Sequence, residues 1–332
     1  MSEALTVNRR ATAAHSRSAT PRMNPRRWRG RVLVGLALAL PVCAIWSITV
    51  GPMDITVREA FLILLAKLGI VSGAAVSPAE AVVVWEIRLT RVVLAVLVGG
   101  GLAIAGATMQ GVFRNPLADP GIIGVSGGGA IGAILMIVLG SRILPAAWLG
   151  AFSLYAVPLA AMAGAVLMTW FIYRLSLSRG QVDLVSMLLI GIAVNALGGA
   201  LIGLLTFIST DNELRSMTFW GLGSLGRANW DLILPGLFFI LLPLCFLPRY
   251  ANALNALLLS EADAMHLGID VRKVKRVLIA LAASIVGATV ALCGTIGFIA
   301  LVAPHIMRSA LGPDHRYLLP ASALLGAMLL LL

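Results

Sequence analysis

Nine apolar stretches follow one another along this chain, at 32–50, 92–110, 121–139, 155–173, 184–207, 232–247, 277–293, 296–307 and 317–332. A helix needs about 20 apolar residues to cross about 30 Å of hydrocarbon, and inside that layer the backbone must satisfy its own hydrogen bonds. Runs of this length and number define an all-α, polytopic membrane fold. Composition agrees: 60% of the 332 residues are hydrophobic and 12% are charged, against roughly 25% charged in an ordinary soluble domain.

Residues 277–307 as one helix would measure about 46 Å, too long for a single crossing. Gly294 and Gly297 offer a break, so two short crossings are expected there. Residues 52–69, PMDITVREAFLILLAKLG, are apolar at helical spacing but flanked by charge, which predicts an amphipathic helix on the outer face. Residues 1–31 are polar and basic, with Arg9, Arg10, Arg17, Arg22, Arg26, Arg27, Arg29 and Arg31 against the single acid Glu3. They read as a disordered cytoplasmic arm ahead of a transmembrane domain at 32–332. A signal peptide fits less well, because the basic region is too long and no small-residue cleavage site follows the first apolar run.

With the N-terminus inside, 18 basic residues fall on inner segments and 7 on outer ones, together the chain's 25. That satisfies the positive-inside rule and places the N-terminus in the cytoplasm. The formal charge of +11 then belongs to the inner face, where it meets anionic lipid rather than nucleic acid. An odd number of crossings leaves the C-terminus outside, where LLGAMLLLL stops without a polar residue or basic cap. A chain cut short of a further helix is the expectation.

The chemistry available inside the membrane is sparse. Cys43, Cys245 and Cys293 lie singly in apolar runs and read as packing residues, so no metal set or disulfide is expected. No carboxylate or lysine lies within a span, which leaves an ion-coupled secondary transporter nothing to run on. A membrane enzyme would need clustered His, Asp or Glu on adjacent spans, and these are missing too. His266, His305 and His315 all fall on the inner side; His305, beside Pro304, reads as a structural hydrogen-bonding residue. Gln110 and Asn195 are polar groups inside spans, read first as ties between helices.

The stretch 114–130, RNPLADPGIIGVSGGGA, puts strong helix breakers between two spans. Its glycines are not a phosphate loop, since no Lys-Ser or Lys-Thr follows and no strand precedes. Gly124, Gly128 and Gly132, four apart, mark one face for close helix packing. Asn115, Pro116 and Pro120 hold non-helical backbone at the inner membrane edge, where a plain turn and a gate are equally compatible with the residues.

Six motifs in order, RLTR (88–91), GATMQGVFRNPLADPGIIGVSGGGA (106–130), FWGLGSL (219–225), EADAMHLGIDVRKVKR (261–276), GFIALVAPHIMR (297–308) and LGPDHRYLLP (311–320), resemble the FecCD family of permeases. The resemblance covers nearly everything after Val32. It implies a ten-helix type II ABC importer permease, with about nine spans present here and the tenth helix absent. It further implies a homodimer in the bacterial inner membrane, two cytoplasmic ATPase subunits that use ATP and Mg, and a periplasmic substrate-binding protein. The permease itself would be no enzyme and would bind no cofactor. The cargo would be heme, a ferric siderophore or cobalamin, and residues 209–230 look most like those of heme permeases.

Through the same resemblance, Arg88 and Arg91 are expected to dock the binding protein, since paired arginines suit exposed carboxylates. Snorkelling helix anchors are the other reading. Asn115 and Leu117 match a narrowing at the inner end of the pathway; Leu177 and Ser178, after Ser176, resemble a second one or are ordinary loop residues. In the cytoplasmic loop 249–276, Glu261, Ala262, Ala264, Leu267 and Gly268 match the segment that such permeases press against their ATPase, with Gly268 breaking it into two short helices.

Overall fold

The computed structural model describes residues 25–71, 77–178 and 181–332. Residues 1–24 of the expected basic arm lie outside them. The described elements are helical but for one two-residue pair of strands.

Helix α1 (Pro25–Thr49) already includes the last arm residues, so the helix begins about two turns before the apolar run does. Arginine is a good helix former, and hydropathy marks the membrane edge rather than the helix end. After α1 comes the expected surface helix, α2 (Val57–Lys67), which carries a full capping box between Thr56 and Glu59. The second span is longer than hydropathy indicates. Ser77 and Pro78 start α3 (Pro78–Val82), which passes through a π turn (Val83–Arg88) into α4 (Leu89–Phe113). The resulting 36-residue helix is about 54 Å long. Charged residues at 80, 86, 88 and 91 do not stop it, because nothing there removes a backbone donor.

A 3₁₀ turn (Pro120–Ile123) leads into α5 (Val125–Ile143), followed by α6 (Ala146–Leu175). Strands β1 (Leu177–Ser178) and β2 (Gln181–Val182) pair antiparallel, Leu177 opposite Val182 and Ser178 opposite Gln181. Next are α7 (Leu184–Phe207), whose bounds coincide with its apolar run, and α8 (Asp211–Gly221), capped by Thr210 and Glu213. Helix α9 (Trp230–Phe246) continues through a 3₁₀ turn (Leu247–Tyr250) into α10 (Ala251–Leu259). The short α11 (Glu261–His266) precedes α12 (Val271–Cys293), α13 (Ile299–Leu311) and α14 (His315–Leu331).

The break after Cys293 is where the glycines indicate, with Gly294 at φ +75°. The eighth run is a correction: α13 has 13 residues, about 20 Å, too short to cross. Seven described helices are long and apolar enough to span, and α13 and α14 are shorter apolar helices.

Helix α4 is the axle of the bundle. Within its segment 89% of the apolar window is buried, against 6% for α1 at the periphery. It packs against α14, α12, α13 and α9. Glycine makes this possible: a Cβ at Gly99 would lie 2.2 Å from the Gly326 carbonyl oxygen, and one at Gly106 would lie 1.8 Å from that of Ala300. Close backbone approach replaces the hydrophobic driving force that helices in lipid lack.

Candidate functional site: the two polar faces of the bundle

On the basic face, α4 ends with Arg114 in the left-handed conformation, φ 49° and ψ 31°. That single residue turns the chain, and the Asn115 Oδ1 accepts the Leu117 N–H at 2.9 Å to close an Asx turn. Leu117 is left 74% exposed. Asp119 then caps the 3₁₀ turn through the Gly121 N–H, and burial pushes its carboxyl up from the ordinary value.

The second expected narrowing is the β1–β2 hairpin. Ser176 is buried, with its hydroxyl donating to the Tyr173 carbonyl at 2.9 Å, whereas Leu177 is half-buried and Ser178 exposed. Turning the Gln181 amide to suit its neighbours lets its oxygen accept from Arg272 at 2.9 and 3.2 Å. Asp183 caps α7 and bonds Ser186, which lowers its pKa.

The expected coupling segment starts with Ser260 capping α11 through the Asp263 N–H at 2.9 Å. Ala264 is fully buried and clusters with Ala256, Leu257 and Val271. Met265 and Leu267 stay 57% and 66% exposed, and Ala262 and Gly268 are exposed as well. Gly268 adopts φ +80°, a conformation that only glycine takes at no cost. The second helix after it is the 23-residue α12 rather than a short one, because its basic first turns are amphipathic and continue straight into the span.

These segments, far apart in sequence, meet. Glu261 Oε1 lies 2.6 Å from Lys275 Nζ and 3.5 Å from Arg114. A cavity of about 500 Å³ is lined by Arg114, Ser178, Gln181, Asp183, Glu261 and Lys275. Residue patterns gave no notice of Arg114 and Lys275, since neither partner of Glu261 lies at a helical spacing from it. Beside this junction, Asp314 takes Arg29 at 3.6 Å, Arg316 at 2.8 Å and the Asn255 amide at 2.8 Å. The Arg316 contact, with the amide, holds its carboxyl well below the usual carboxylate range.

On the opposite face the expected arginine pair divides. Arg88 is 8% exposed, and its guanidinium donates to the carbonyls of Ile48 at 2.8 Å, Thr49 at 2.9 Å and Met53. It thereby satisfies the orphan carbonyls at the end of α1. Arg91 is exposed. Around it, Trp230 Nε1 donates to the Trp85 carbonyl at 3.2 Å, and Ser224 N–H and Thr295 Oγ1 tie the loop after α8 to the break after α12.

Between the faces, Gly124, Gly128 and Gly132 all meet α6, at Ile172, Gly164 and Ala160 respectively. Gly124 is not itself helical; at φ +81° it caps α5. Asn195 ties α7 to the 3₁₀ turn through the Gly121 carbonyl at 3.3 Å. Both polar atoms of the buried Gln110 are without a hydrogen-bond partner. The histidine that ties elements together is His315, whose Nδ1 lies 2.9 Å from Asn255 Oδ1, while His305 is exposed. Among the described residues, no group of three His, Cys, Asp or Glu side chains could hold a metal, and the three cysteines are free.

Seven long apolar helices among the described residues, one of them the buried axle, define a polytopic membrane protein. The chain belongs to the FecCD transport family, whose profile matches residues 39–332. That family consists of permease subunits of ABC importers, which are not catalytic and work with ATPase and binding-protein partners. The hemin transport system permease protein of Yersinia pestis is 46% identical over 250 residues, 75% of this chain and 73% of that one. The cobalamin import system permease of Halobacterium salinarum is 36% identical over 86% of this chain and 82% of its own length. The molybdate import system permease of Haemophilus influenzae is 35% identical, covering 91% and 86%. A metal-chelate type ABC transporter solved in an inward-facing conformation superposes with a TM-score of 0.77 at 32% identity, covering 91% of this chain and 88% of that one.

Proposed function

We propose that this permease carries heme inward across a bacterial inner membrane, driven by ATP and Mg bound on two partner ATPase subunits. The observation that carries the ligand is the 46% identity to the hemin permease, against 35–40% for the cobalamin and molybdate relatives. The same role for cobalamin or a ferric siderophore is the second reading, and the cobalamin relative, matched over 315 residues, supports it.

In this reading two copies pair around a central pathway, the N-terminus is cytoplasmic and the basic face lies inside. The periplasmic binding protein docks at Arg91, with Arg88 holding the loop it stands on. Asn115, Leu117, Leu177 and Ser178 narrow the inner end. Nucleotide-driven closure of the ATPases pushes on α11 through Met265 and Leu267, around Ala262, Ala264 and Gly268. Such a push changes the pathway only by favouring one conformation over another, so the force must reach those inner residues through packed contacts.

Proteoliposomes holding permease and ATPase, with binding protein offered empty or loaded with hemin, a ferric siderophore or cobalamin, test this reading. ATP-dependent uptake of hemin alone is the expected result. Uptake of cobalamin or siderophore in its place would overturn the ligand, and a chain that brings down no ATPase subunit would overturn the role.

A further inference from the structure

We infer that Glu261 is a two-handed latch, fixed to Lys275 and releasable from Arg114, through which movement of α11 reaches the turn that carries Asn115 and Leu117. The inference rests on the permease reading above and adds the residues that transmit the motion. Its starting point is the inequality of the two contacts made by one carboxylate. The Lys275 side chain is 7% exposed and lies 2.6 Å from Glu261 Oε1. Removing the acid would strand a buried ammonium, so this contact persists whenever the segment is folded. Arg114 and Glu261 are 36% and 37% exposed at 3.5 Å. A pair that open to water is worth little to static stability and is screened by salt. Those properties suit a contact that is made and broken in each cycle.

The mechanical position of Arg114 supports the same conclusion. Its left-handed backbone is the hinge between the rigid, buried α4 and the exposed Asx turn, so its side chain moves with the turn. Asp183, the other carboxylate lining the cavity, is engaged by Ser186 and the Val185 N–H, which leaves Glu261 as the acid available to Arg114. On the far side of α11, Gly268 at φ +80° gives the segment a flexible end. The hairpin holding Leu177 and Ser178 meets the same segment through Gln181 and Arg272. Both inner-edge segments are therefore held by residues 261–275.

The test uses the full complex with its ATPase, in a chain carrying Cys43→Ala and Cys245→Ala, with Leu117→Cys as reporter. Reactivity of that cysteine toward maleimide is read with and without a non-hydrolysable ATP analogue, so no transported ligand is needed. Arg114→Asn removes the charge but keeps a residue tolerant of the left-handed conformation. Arg114→Lys keeps the charge. The expected result is a nucleotide response that falls by roughly fivefold or more in Arg114→Asn, a change of the size usual for coupled sites. Near-native response is expected in Arg114→Lys, with assembly and ATP binding unchanged in both. A native-sized response in Arg114→Asn would overturn the latch, as would a native complex whose Leu117→Cys ignores nucleotide. A native chain that brings down no ATPase subunit would instead remove the permease reading, and the latch with it.

Discussion

A methyl group on Gly106 would sit 1.8 Å from a backbone oxygen of α13, whereas one on Gly203 or Gly199 meets nothing within 4 Å. Backbone cannot retreat as a flexible side chain can, so Gly106→Ala is expected to lose about 3 kcal/mol or more, the upper end of overpacking costs. Gly203→Ala should be neutral or slightly stabilising, by up to about 1 kcal/mol, since alanine is the better helix former. Thermal unfolding of detergent-purified protein measures both, and equal melting temperatures for the two variants would refute the packing argument. The arginine pair makes a second residue-scale contrast. Arg88→Met strips donors from three carbonyls around a buried site, each charged hydrogen bond worth about 1.5–3 kcal/mol, and should cut the yield of folded protein. Arg91→Glu should leave melting unchanged and weaken binding-protein stimulation of the ATPase. If Arg88→Met folds as well as native and loses only stimulation, the division between the two residues is wrong. RLTR alone could not separate them, because what distinguishes Arg88 is the end of α1, forty residues earlier.

Elements were readable in the sequence wherever one physical signal stood alone. Helix α7 coincides with its apolar run because Asp183 caps one end and Ile208 to Thr210 close the other. Helices α1, α4 and α12 overrun theirs, since hydropathy reports the lipid boundary while a helix ends where its backbone leaves the helical conformation, as at the left-handed Arg114 after α4 and at Gly294 after α12. The short α11 was visible as an element but not as a surface: burial of Ala264 against α10 and α12 is what turns Met265 and Leu267 outward. Two large apolar side chains at the C-terminal end of a six-residue helix, Met265 within it and Leu267 as its cap, beside acids at 261, 263 and 270, form a patch that water disfavours and a partner groove can take. Met265→Asp with Leu267→Asp should therefore leave a folded permease that no longer retains its ATPase, a loss of tenfold or more in affinity by the usual cost of truncated apolar anchors, about 1.4 kcal/mol or more. Co-purification at matched expression reads this, and full retention would assign the docking surface elsewhere.

At the scale of the whole molecule, the axle α4 delivers one end to each polar face. Its N-terminal end carries Arg88, in the π turn before it, and Arg91, in its first turn, and its C-terminal end turns at Arg114 into the segment of Asn115 and Leu117. The bundle, its membrane setting and its transport role follow from span length and motif order. The junction of Glu261 with Arg114 and Lys275 does not, because it is assembled from three chain segments that only tertiary packing brings together. The proposed sidedness rests on charge: the basic residues at 114, 272, 273, 275, 276, 308 and 316 fall on the loops assigned to the inner side, where positive charge is favoured. Arginines remain on the other face too, but Arg88 is held by carbonyls and Arg142 pairs with Glu213 at 3.3 Å, which lessens their weight as free charge. Single cysteines placed at Asn212 and at Ala262, both exposed and on opposite faces, test the assignment in the Cys43→Ala, Cys245→Ala chain. A membrane-impermeant maleimide applied to spheroplasts should label Asn212→Cys at once and Ala262→Cys only after permeabilisation. The reverse pattern would invert the molecule, placing α11 where no ATPase could reach it and ending the transport cycle proposed for it.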